Sequence, residues 1–159
     1  MKANHLKLLI CISAISVAAC RKPGTIKVDK RTLLVGKQWE VVAHKAATAA
    51  DFNGDGIAET DIFSVTRLCE KDDYIVFEQN GTMEYNEGKR ECDDSDKPTW
   101  VWDLLQDTKL VMTPSFGTPK EFRLVSVDEA TLELGYNKTM EGKDIPIIVY
   151  YARKEAKPE

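Results

Sequence analysis

The sequence is poor in histidine, in net basic charge and in long apolar runs. Its 159 residues include two histidines, His5 and His44. Lys and Arg number 22 against 26 Asp and Glu, a net charge of −4. Nucleic-acid binding needs a cationic face to neutralise phosphates, so no nucleic-acid partner is expected. No serine lies in a Gly-x-Ser-x-Gly setting and no glycine-rich phosphate loop occurs. Acid–base catalysis needs titratable groups gathered in a shaped pocket, and the pattern offers none. His44 reads as a solvated strand residue, and Asp93, Asp94 and Asp96 as a solvated loop cluster. We therefore expect no enzyme and no catalytic residues. No apolar run reaches the roughly 20 residues that cross a bilayer as a helix.

What is present begins with an export signal. Lys2 and Lys7 form a basic head, and residues 8–19 carry no charge. That layout is a secretory signal peptide. Its end, Val17-Ala18-Ala19-Cys20, resembles a bacterial lipobox. The resemblance implies cleavage before Cys20 and acylation of that cysteine, a palmitate-type modification. Two or more acyl chains anchor a protein stably without a spanning segment. The expected partner is thus a membrane, reached through the lipid. Arg21 stands where an aspartate often signals inner-membrane retention, and no acidic run follows. Both features imply an outer-membrane lipoprotein of the bacterial cell envelope, facing the periplasm. Removing residues 1–19 leaves 140 residues, enough for one domain with a core. The organisation expected is a signal peptide at 1–19, lipidated Cys20 with a linker to 32, one domain over 33–154, and a polar tail at 155–159.

Four cysteines are present. Cys11 falls in the signal peptide and Cys20 takes lipid. Cys69 and Cys92 remain, in a compartment that oxidises thiols, and an even remainder there reads as one disulfide. The alternatives are two free thiols or half of a zinc site. Between them, DYIVFEQNGTMEYNEG sets two strand-like runs around Asn80-Gly81, a hairpin signal. A two-residue turn would place the cysteines opposite each other. A three-residue loop at 79–81 instead pairs Phe77 with Met83 and Ile75 with Tyr85. Burial favours the second register, because a one-residue slip exchanges the faces. A bulge near Gly88 would then realign the cysteines.

The remainder reads as strands of period two. They fall at 38–44, 73–78, 82–87, 99–104, 109–113, 121–127, 131–136 and 145–153, with a short helical turn over 31–36. Eight short strands, each with one apolar face, predict an all-β, eight-stranded antiparallel up-and-down β-barrel. Candidate interior residues are Trp39, Ile75, Phe77, Met83, Tyr85, Trp100, Trp102, Leu110, Met112, Phe122, Leu124, Leu132 and Leu134.

A family resemblance joins these elements. Gly36-Lys37-Gln38-Trp39, then Cys69-Glu70-Lys71-Asp72-Asp73 running into Phe77, then Asn80-Gly81-Thr82, Gly88, Cys92 and Thr99-Trp100 resemble the lipocalin-like domain of bacterial lipoproteins. The resemblance implies a tethered, non-catalytic module that holds a small hydrophobic ligand in its barrel. The competing expectation is a filled barrel, a structural or interaction protein that meets an envelope protein or glycan through its loops.

One motif stands apart. Asp51-Phe52-Asn53-Gly54-Asp55-Gly56-Ile57-Ala58-Glu59-Thr60-Asp61 has most of the oxygen spacing of a calcium loop. Asp51, Asn53, Asp55, the Ile57 carbonyl, Glu59 and Asp61 are the candidate ligands. Ile62 occupies the place of the bidentate glutamate, so any Ca2+ here would be a structural ion and the only cofactor. The other reading is a set of Asn-Gly and Asp-Gly turns held by local side-chain hydrogen bonds.

Overall fold

The computed structural model describes residues 28–92 and 98–154. The signal peptide, Cys20, most of the linker, the Asp93–Asp96 cluster and the tail lie outside the described residues.

A short helix, α1 (Lys30–Leu34), opens the domain. Asp29 caps it, its carboxylate accepting from the Arg31 N–H at 3.0 Å. Leu33 and Leu34 point inward and are buried. The chain then enters β1 (Gln38–Ala50), β2 (Glu59–Asp61), a one-turn helix α2 (Ile62–Val65) and a 3-10 turn at Leu68–Glu70. The hairpin β3 (Tyr74–Phe77) and β4 (Thr82–Asn86) follows. It leads into β5 (Trp100–Leu105), β6 (Lys109–Pro114), β7 (Lys120–Val127), β8 (Thr131–Met140) and β9 (Lys143–Arg153).

Strand order is β1-β3-β4-β5-β6-β7-β8-β9, and β9 returns to pair with β1. All these pairings are antiparallel. The result is the expected closed eight-stranded barrel, which leaves no free sheet edge along the ring. β2 is an addition to it. It pairs with β1 at Lys45 and Ala50, on the edge opposite β9 and beyond the reach of β3.

The hairpin takes the register that burial favours. Ile75 faces Tyr85 and Phe77 faces Met83. Glu78 N–H donates to the Thr82 carbonyl at 2.9 Å, and Gly81 N–H to the Glu78 carbonyl at 3.0 Å. Gly81 supplies the positive φ of 88° that a three-residue loop requires.

One end of the barrel is filled. Leu34 from α1 packs with Trp39, Phe77, Trp102, Leu110 and Leu132 in the main core. The Trp39 indole donates to the Leu34 carbonyl at 3.0 Å, which ties the plugging helix to the barrel wall. Phe77 and Trp102 rings meet at 4.9 Å. The Trp102 indole donates to the Glu78 carbonyl at 3.0 Å, so a buried polar atom is satisfied. Ile75, Met83, Met112, Leu124 and Leu134 are also buried here, with Trp100 partly buried against them.

The first strand departs from the sequence reading in two ways. It runs on to Ala50, past the expected end at 44. The extension reads Lys45-Ala46-Ala47-Thr48-Ala49-Ala50, small residues without apolar alternation, so the pattern carries no strand signal there. The strand also carries an extra residue. Val41 pairs with Tyr151 and Ala43 with Tyr150, which leaves Val42 as a bulge, 50% exposed. Beyond it the faces exchange, and His44 and Ala46 turn inward.

Candidate functional site

The other end of the barrel is hollow. A cavity of about 770 Å3 opens there. Its walls come from β1 (Val41, His44), β4 (Tyr85), β7 (Phe122), β8 (Tyr136) and β9 (Val149, Tyr151). Helix α2 contributes Ile62, Phe63 and Val65. The volume falls within the roughly 300–1,000 Å3 typical of small-molecule sites. Of the sequence-derived interior residues, Tyr85 and Phe122 line this cavity, while the larger group around Trp39 fills the opposite end. The barrel is therefore neither solid nor empty along its whole length.

Polar and charged side chains share the lining with the apolar ones, among them Arg67, Glu70, Lys120 and Glu121, and several are tied in pairs. His44 Nε2 lies 2.9 Å from the Tyr136 hydroxyl. Burial, and secondarily the charge of Lys138, holds the His44 imidazole below its ordinary pKa, which favours the neutral ring. The sequence reading placed His44 on the polar face; the bulge at Val42 brings it into the cavity. Tyr151 is pushed upward by burial, with a smaller contribution from Tyr136.

Asp73 is the buried polar residue of this wall, 6% exposed. The Tyr85 hydroxyl donates to its Oδ2 in a short hydrogen bond. Burial raises the Asp73 pKa; the Tyr85 bond opposes this, and Glu87, Asp72 and Glu70 add to the rise. Tyr85 is raised by burial first and by Asp73 next. A sequence signal for Asp73 exists: it continues the inward parity of Ile75 and Phe77 by one step.

The disulfide joins Cys69 to Cys92, with Cα atoms 5.2 Å apart. Its setting differs from a cross-strand pair repaired by a bulge. The ladder ends at Tyr74 and Asn86. Cys69 sits in the 3-10 turn, and Cys92 in the segment after β4. Gly88 makes the intervening turn at φ 68°, where a Cβ would stand 2.4 Å from the Asp72 carbonyl oxygen. Lys89 N–H then donates to Asp72 Oδ2 at 2.8 Å. The bond fixes the 3-10 turn, and with it Arg67, Glu70 and the cavity mouth.

The acidic motif forms the connection from β1 to β2. Asp51, Asp55 and Glu59 each place an oxygen within 4.8 Å of the others. Asp51 accepts from Gly54 N–H at 2.6 Å and from Gly56 N–H at 2.8 Å. Asn53 bridges to Asp55 Oδ2 through its amide at 2.9 Å. Glu59 Oε1 accepts from Phe52 N–H at 3.0 Å, and its Oε2 is buried without a partner. Ile57 donates its N–H to Asp55 Oδ1 at 2.8 Å, and its side chain is exposed. Asp61 lies apart, paired with Lys45 at 2.6 Å and capping α2. The local turns are thus built by the same oxygens that the calcium reading needs.

The sequence model of the lipocalin-like domain matches residues 34–134. No curated protein matches the chain. Tyr136, Val149 and Tyr151, which complete the cavity wall, lie beyond the matched segment. More than half of the chain fits the family, its strands close into the eight-stranded barrel, and one end is open: the chain belongs to the lipocalin-like domain family.

Proposed function

We propose that the protein is a non-catalytic binding module for a small hydrophobic ligand, held at the outer membrane by acyl chains on Cys20 and facing the periplasm. The half-empty barrel carries this reading. Its cavity has apolar wall from Val41, Phe122, Val149, Ile62 and Phe63, interrupted by polar and charged side chains that include Asp73, Tyr85, Tyr136 and Lys120. Such sites recognise apolar bodies by shape and orient them by a small number of polar contacts. Among the described residues, no serine or cysteine lines the cavity, and His44 is engaged with Tyr136. Both observations support binding over nucleophilic catalysis.

The test is native mass spectrometry of the mature domain purified from envelope extract, together with calorimetric titration of simple amphiphiles. A bound mass that disappears in Val149→Trp, which fills the cavity, is the expected result. No bound mass and no heat with any amphiphile sinks the proposal. Cys20→Ser is expected to abolish acylation and recovery of the mature lipoprotein in the outer-membrane fraction.

A further inference from the structure

We propose that the ligand carries a protonated amine, seated between Asp73 and the aromatic wall of the cavity. The inference rests on the binding reading above and specifies its chemistry. Asp73 is 6% exposed, yet only one of its carboxylate oxygens is used: Oδ2 accepts from Tyr85, and Oδ1 is buried with no partner. A buried carboxylate left half-satisfied carries a substantial desolvation cost, and ligand sites are where such a group finds its partner.

The charged surroundings select the sign of that partner. The charged groups acting on Asp73 are Glu87, Asp72 and Glu70, all acidic. The cations of the cavity wall are engaged elsewhere. Arg67 Nε donates to Glu70 Oε1 at 2.7 Å, and Lys120 sits over the Trp100 ring at 5.3 Å. An anionic headgroup would meet repulsion at this wall, and a neutral one would leave the carboxylate without a counter-charge. An ammonium supplies that charge and three donors. Tyr85 lines the cavity beside Asp73. Its ring, with those of Tyr136 and Tyr151, offers π-faces to a cation, and such contacts strengthen when desolvated. The apolar remainder of the ligand then runs along Val41, Phe122 and Val149.

Calorimetry with octylamine, 1-octanol and octanoate tests this on the mature domain. Octylamine is expected to bind about ten- to hundredfold tighter than octanol, the range of a charge-assisted hydrogen bond, with octanoate weakest. Asp73→Asn should level octylamine to octanol. If that variant does not fold, Glu70→Gln, which removes one acidic neighbour from an exposed turn, should narrow the preference in the same direction. Octanol or octanoate binding as tightly as octylamine overturns the amine assignment and leaves the cavity reading standing. Failure of all three to bind overturns both.

Discussion

Removing the disulfide should both destabilise the domain and loosen its cavity. Cys69 and Cys92 are 23 residues apart. Closing a loop of that size removes about 3.4 kcal/mol of chain entropy from the unfolded state. The 3-10 turn that holds Cys69 buries none of its residues. Leu68 beside it is 67% exposed. Its side-chain contacts include Lys71, which donates to the Ser64 carbonyl at 3.2 Å, and the Arg67–Glu70 pair. Exposed contacts of that kind contribute at most about 1 kcal/mol each. In the Cys69→Ser/Cys92→Ser variant, urea titration should show a loss of about 3 kcal/mol, or about 10 °C in melting temperature. Hydrogen exchange should quicken over residues 66–72 and 88–92, and the affinity of any cavity ligand should fall with it. A stability loss under about 1 kcal/mol, with exchange in those segments unchanged, would refute the reasoning. It would mean that the turn is held by contacts other than the bond.

Two further outcomes follow from the site. His44 should stay neutral through pH 7, with an imidazole midpoint below 6.5 by NMR. Because its folded pKa is depressed, the stability it contributes is present above pH 6.5 and is lost as pH falls below it, so a midpoint at or above 6.5 contradicts its buried placement. Calcium should bind the loop at Asp51, Asp55 and Glu59 weakly, with a Kd of about 0.1–1 mM, as in extracellular modules. Calorimetry should register that heat and lose it in Asp55→Ala, and no heat up to millimolar calcium removes the ion from the account.

The barrel was legible because its strands obey a period of two and its turns carry their own signals. Asn80-Gly81 with flanking Phe77 and Met83 was enough to choose the hairpin register, since only one pairing buries both. The cavity was not legible, for a physical reason. Whether a barrel is solid depends on how side-chain volumes add across strands that are distant in sequence, and Leu34 from outside the barrel fills one end while a smaller cluster around Ala46, Ile145 and Ile147 leaves the cavity open. His44 was misplaced because a bulge adds a residue without any residue type announcing it. The segment over β2 and α2 was missed because its lengths are three and four residues, too short for periodicity to register. Asp73 could have been found by extending the inward parity of β3 one step before its apolar run.

The bulge at Val42 has a consequence for how this strand can change. Its two halves are written in different frames, like text read across an inserted letter. Trp39 belongs to the first frame and closes the solid end; His44 and Ala46 belong to the second and face the hollow end. Deleting Val42 would join the frames and leave His44 and Ala46 facing inward, whereas straightening the bulge with Val42 retained would turn Lys45 inward and His44 to solvent. One insertion thus lets a single strand serve both the part of the barrel that holds itself together and the part kept open for something else.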